Sequence, residues 1–242
     1  SDRVALAMSR AREVTTDEQP RLHNLVEGLC IAAGLPKPRI YVVDDSAPNA
    51  FATGRNPKHA AIAVTTGLLE KLSRVELEGV LAHELSHVKN YDILVSTMAV
   101  VLVGVVVLLS DWALRFMWFG GGRSRSDNDR GGGPQAVIAI LGLVLLLLAP
   151  IFAKLMQFSV SRRREQLADI TGVTLTRYPP GLASALRKLR DDSTVVSANS
   201  RAAAHLWIES PLDREGKRGA WLNRLFDSHP PIEERIRVLE AL

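Results

Sequence analysis

The stretch Ser73-Arg74-Val75-Glu76-Leu77-Glu78-Gly79-Val80-Leu81-Ala82-His83-Glu84-Leu85-Ser86-His87 decides the reading of this chain. Ser73 with Glu76 three residues on is a capping box, and it predicts a helix running to about Tyr91. On that helix His83 and His87, spaced i and i+4, point to one face. Two imidazole nitrogens can therefore meet a single ion, with Glu84 beside it. Zinc takes such ligands and, in catalytic sites, keeps one position open for water. A carboxylate next to that water can take its proton. With 6 histidines in 242 residues, H-E-x-x-H arises by chance only about 0.01 times.

Two histidines do not complete a site. The other histidines (His23, His59, His205 and His229) and many carboxylates are candidates for the third ligand. Glu165 and Asp169 stand out, because like charges at i and i+4 on a predicted helix repel unless a cation or a histidine donor joins them. On spacing alone, neutralisation by Arg162, Arg163 and Arg164 on a solvated surface explains the pair equally well.

Outward from the motif, residues 20–33 have helical apolar spacing and stop at Gly34, with Pro36 beyond. Residues 39–43 and 59–65 read as short strands around a turn-rich stretch, 44–57. Residues 93–109 are seventeen without a charge, and 136–152 form a second such run. Each suffices to cross a bilayer, which takes about 20 apolar residues, so the two are expected to form a transmembrane hairpin. The loop between them, 120–134, is rich in glycine and charge. Beyond the hairpin, 159–200 reads as helices broken at Pro179-Pro180-Gly181, and 232–242 as an amphipathic terminal helix.

Composition supports this reading. Mean hydropathy is +0.07, and the apolar excess is concentrated between residues 93 and 160. A single cysteine, Cys30, excludes an intramolecular disulfide and a four-cysteine zinc site. Thirty basic residues against 26 acidic give a net charge of +4. No recognition motif accompanies that charge, so nucleic acid is not an expected partner. An anionic membrane surface accounts for it more economically. Residues 1–12 lack an apolar core and are not read as a signal peptide. A two-span hairpin leaves both flanks on one face, and the lysine and arginine distribution modestly favours the cytoplasm.

Three motifs in order, His83-Glu84-Leu85-Ser86-His87, Glu165-x-x-x-Asp169 and Asn49-Ala50-Phe51-Ala52-Thr53-Gly54, resemble the HtpX heat-shock proteases. These are membrane zinc metalloendopeptidases related to the CAAX prenyl endopeptidase. The resemblance spans about residues 12–242. It implies a mainly helical α+β, gluzincin-like metallopeptidase domain with a small sheet and the hairpin inserted. Residues 1–92 and 159–242 would build the peptidase part, and 93–158 the hairpin. One zinc ion would be held by His83, His87 and Glu165, with Asp169 orienting a ligating histidine. His229 and Arg235 would lie near the zinc and hold the substrate carbonyl or its oxyanion. Asn49, Ala50 and Phe51 would bind substrate, leading into an edge strand for an extended peptide, for which residues 59–65 are the candidate.

The implied substrates are misfolded or damaged membrane proteins, in quality control and the stress response. The implied setting is the inner or plasma membrane, multi-pass, with the catalytic part facing the cytoplasm. The family's further apolar pair is missing ahead of Ser1, so the sequence is expected to be a piece of a longer chain. A CAAX-type processing protease and a membrane adaptor with structural zinc or none are the rival readings. No oligomeric state follows from the sequence.

Overall fold

The computed structural model describes residues 2–92, 94–95, 104–106, 108–109, 111, 149, 162–192, 194 and 230–242. In chain order these form α1 (Asp2–Met8), β1 (Arg12–Glu13), α2 (Pro20–Ala33), β2 (Arg39–Val43), β3 (Ala50–Thr53), β4 (Ala61–Thr65), α3 (Thr66–Lys71) and α4 (Arg74–Lys89). Then come α5 (residues 162–176), α6 (Pro179–Asp191) and α7 (Ile232–Glu240). The architecture is mainly helical with one small mixed sheet. Contacts cluster into two units, residues 1–95 with 161–242 and residues 96–160. Almost all of the expected hairpin lies outside the described residues. Among the described residues, no helix is long and apolar enough to cross a membrane.

Local chemistry sets the helix ends. Pro20 opens α2, where its missing N–H is no loss. Gly34 closes it at φ 69°, donating to the carbonyls of Cys30 and Ile31. At the start of α4 the Ser73 N–H donates to Glu76 Oε2 at 2.8 Å, and Ser73 Oγ accepts from the Glu76 N–H at 3.4 Å.

The strand order is β1-β2-β4-β3, with β2 and β4 parallel and the two outer pairs antiparallel. This corrects the expectation for residues 59–65. Their strand, β4, lies in the sheet interior with every residue buried, so it cannot take an added strand. Among the described residues the edge strand on that side is β3, four residues inside the stretch read as turns. Ala50-Phe51-Ala52-Thr53 is too short and alanine-rich to announce a strand. Pairing with β4 makes it one, Ala50 opposite Val64 and Thr53 opposite Ala61.

The helix α4 is buried on nearly every side, against α2, α6 and β3. Its backbone comes so close to α6 that a Cβ at Gly79 would stand 2.8 Å from the Leu182 nitrogen. The main apolar core runs through Leu22, Val26, Ile62, Leu77, Leu81, Leu85, Leu182 and Leu186. A helix placed centrally in the core can hold its side chains rigidly.

Glu76 ties α4 to α6 as well as capping it. It is 7% exposed, accepting from Ser184 Oγ at 2.6 Å and Lys188 Nζ at 2.7 Å. Burial opposes its ionisation, but the bonds from Lys188, Ser184 and Ser73 prevail and draw the carboxyl from 4.5 down to about 2. The folded carboxylate thus titrates below the unfolded one. Its stabilisation is complete above pH 4.5 and is lost as pH falls toward 2. Glu76→Gln is expected to cost roughly 1–3 kcal/mol at neutral pH. It should also flatten the loss of stability between these pH values in urea titrations.

Candidate metal centre

Three helices bring the polar side chains together. α4 contributes His83, Glu84 and His87, α5 contributes Glu165 and Asp169, and α7 contributes Arg235. The helix α5 reaches α4 because of Gly172, whose added Cβ would stand 3.0 Å from the His83 backbone nitrogen. A larger residue there would push both acidic side chains away from the histidines.

One ligand atom each from His83, His87 and Glu165 lies within 4.8 Å of the others. The two Nε2 atoms are 3.1 Å apart, with the rings edge to face. Glu165 Oε2 is 3.6 Å from Nε2 of His83, and Oε1 is 3.4 Å from Nε2 of His87. Ligands about 2.0 Å from a tetrahedral ion stand about 3.3 Å apart, so all three spacings suit one ion. The far sides of the rings agree. His83 Nδ1 is 2.8 Å from Asp169 Oδ1, and His87 Nδ1 is 2.6 Å from Asp92 Oδ2. With each Nδ1 proton given to a carboxylate, both Nε2 lone pairs face Glu165. Two lone pairs and a carboxylate around one point are a cation's donor set, and two histidines with a glutamate are a catalytic zinc set.

The electrostatics follow from burial and pairing. Burial and the Arg235 guanidinium disfavour a charged His83, but Asp169 and Glu165 outweigh them and raise it to about 9. A metal ion must therefore displace a proton to bind. Burial pushes the Glu84 carboxyl up, with Glu165 adding to the effect against His83 and His87. Asp169 is held well below the usual range by Arg235 and His83, against its burial. Arg235 grips it with two bonds, Nε to Oδ2 at 2.9 Å and Nη2 to Oδ1 at 2.7 Å.

The site residues expected from the sequence fare differently. His83, Glu84, His87, Glu165, Asp169 and Arg235 are brought together. The Arg235 guanidinium is engaged with Asp169; its Nη1 stands 3.9 Å from Glu165 Oε2, and its Nη2 stands 3.4 Å from both ring nitrogens of His83. His229 lies outside the described residues. Asn49 is buried and its Oδ1 accepts the Ala50 N–H at 3.0 Å.

The backbone of β3 explains what Phe51 does. The Thr65 N–H donates to the Asn49 carbonyl, which makes Asn49 and Thr65 a hydrogen-bonded pair. By alternation Phe51 also bonds inward to β4, whereas Ala50 and Ala52 direct their backbone groups to the outer side of the strand. The Phe51 ring is fully buried with Tyr41 and Val43. Ala52 takes its place at the edge, its N–H bonded to the Glu84 carboxylate.

Asp92 stands at the site without any announcement in the sequence. Asp92 is five residues beyond His87, off the helical spacing, and no motif marks it.

The family model described as peptidase family M48 matches residues 16–242. A protease HtpX homolog of Tropheryma whipplei (strain TW08/27) is 52% identical over 242 residues, which are 100% of this chain and 79% of that protein. The homolog of Listeria monocytogenes serotype 4a is 50% identical, over 100% of this chain and 80% of its own. Among solved structures, that of S. mikatae Ste24p superposes with a TM-score of 0.58 at 21% identity. That likeness covers 97% of this chain and 55% of Ste24p, and at such identity it speaks for the fold alone. The match along almost the whole chain agrees with the ligand geometry, and the chain belongs to peptidase family M48, as a zinc metalloendopeptidase.

Proposed function

We propose that this protein is a membrane-bound endopeptidase that hydrolyses misfolded or damaged membrane proteins in quality control and the stress response. The observation that carries this reading is β3, the edge strand among the described residues, beside Glu84 and the His83, His87, Glu165 cluster. An extended peptide added to β3 makes main-chain bonds and is read only loosely by side chain. That suits an enzyme with many substrates.

His83, His87 and Glu165 would hold one zinc ion, and Asp169 fixes the orientation of the His83 ring. Zinc, when bound there, would supply a Lewis acid for the peptide carbonyl and for the attacking water. Glu84, its carboxyl already pushed up by burial, accepts the water proton and delivers it to the leaving amine. Arg235 steadies Asp169 and, with His229, contributes donors toward the developing oxyanion. The carbonyls of Ala50 and Ala52 accept from the substrate backbone, while their N–H groups are held by Asn49 Oδ1 and the Glu84 carboxylate.

Residues 1–92 and 159–242 form the peptidase part, with 93–158 as a hairpin in the bilayer. The chain belongs to a multi-pass protein of the inner or plasma membrane, its catalytic part in the cytoplasm. Two charge-free runs of bilayer-spanning length and the flanking cations support that placement.

The test is reconstitution in lipid vesicles with two substrates, a destabilised membrane protein and a prenylated CAAX peptide. Zinc-dependent cleavage of the first is expected, at several sites in its loops. Cleavage confined to the prenylated peptide would contradict the proposal in favour of a processing protease.

A further inference from the structure

Asp92 belongs to none of the sequence motifs, yet its carboxylate stands directly behind a metal-site histidine. It is 5% exposed, with Oδ2 2.6 Å from Nδ1 of His87. The chain must turn sharply to place it there. α4 ends at Lys89, and Tyr91 adopts the left-handed conformation at φ 57°. On a continued helix, a side chain five residues on would lie about 140° around the axis from His87. A non-glycine residue in that conformation is strained by its Cβ. Such strain persists where surrounding structure imposes it, commonly at functional sites.

Arg164 braces this turn. Its guanidinium pairs with the Asp92 carboxylate and donates to the Asn90 carbonyl at 2.5 Å, gripping the turn on both sides. The same layout stands behind His83, where Arg235 holds Asp169. Each imidazole thus has a carboxylate at its back, and each carboxylate has an arginine. Arg164 also precedes Glu165 directly, so one short stretch carries both a candidate ligand and the clamp.

We propose that Asp92 is a positioning residue for His87 and that Arg164 holds it in place. The pair thereby fastens the two sequence flanks of residues 93–163 to a metal ligand. Asp92 fixes the proton on Nδ1 and leaves Nε2 free to bind the ion. Arg164 balances a buried carboxylate that would otherwise protonate or turn away from the ring. This inference rests on the reading of His83, His87 and Glu165 as the zinc site. It adds a consequence: displacement of either flank is felt at His87 as altered metal affinity.

The experiment is a zinc competition titration of the whole detergent-solubilised chain against a chromophoric chelator. Cobalt-substituted spectra and circular dichroism accompany it, and wild type is compared with D92A, D92N, R164A and D92A/R164A. D92A is expected to weaken zinc binding about 10–100-fold and to alter the cobalt absorption, with helix content retained. D92N keeps an acceptor for the Nδ1 proton and should recover part of the affinity. R164A should weaken binding less, and adding it to D92A should cost nothing further. Wild-type affinity in D92A overturns the inference, as does an equal cost of R164A in both backgrounds. If D92A fails to fold, D92N and R164A decide, and wild-type affinity in both overturns it. A wild-type chain whose zinc binding survives H87A would instead overturn the zinc-site reading itself, and this inference with it.

Discussion

Glu84→Gln is expected to lower peptide hydrolysis by roughly 10²–10⁴-fold while leaving bound zinc unchanged. The substitution keeps the volume of the side chain and one acceptor for the Ala52 N–H, but removes the ability to take a proton. Glu84 is 2% exposed in the core of α4, so an isosteric amide leaves the packing of Leu81, Ala82 and Leu85 undisturbed. It is not one of the three clustered ligand groups, so the metal should stay. Casein cleavage measured alongside zinc content separates the two effects. Equal cleavage by the variant would remove Glu84 from the chemistry. Zinc retained with no cleavage by either protein would favour an adaptor role.

Glu165→Ala is expected to do the opposite, abolishing activity because the metal is lost. It leaves two imidazoles to hold the ion. The fall in zinc affinity should exceed the roughly 10–100-fold typical of changes to residues behind a ligand. Arg235, 3.9 Å from Glu165, and Asp169 keep their mutual bonds, so α7 should remain docked. Zinc competition and thermal unfolding in chelator test this together. Lost zinc with an unchanged apo melting temperature is the expected pair of results.

Much of this was legible in the sequence where local chemistry decides. The proline and glycine ends of α2, the capping box of α4 and the shared face of His83 and His87 are all short-range features. The convergence of Glu165 on the histidines was not legible from spacing. It needs α5 to lie against α4, which depends on the absence of a side chain at Gly172. The edge strand was misplaced for a similar reason. Ala61–Thr65 has the stronger strand signal, but its flanking partners place it inside the sheet, and the weaker Ala50–Thr53 is left at the edge. Asp92 depends on a left-handed turn at Tyr91 and a clamp from Arg164, more than 70 residues away in sequence.

The central claim is that one zinc ion is bound by His83, His87 and Glu165 with a position open for water. Zinc-edge X-ray absorption on the wild-type chain and on Glu165→Gln tests it most directly. Two imidazole nitrogens at about 2.0–2.1 Å with light oxygen ligands are expected in wild type, and a changed spectrum or no zinc in the variant. An identical spectrum from both proteins, or a site closed by four protein ligands, would contradict it.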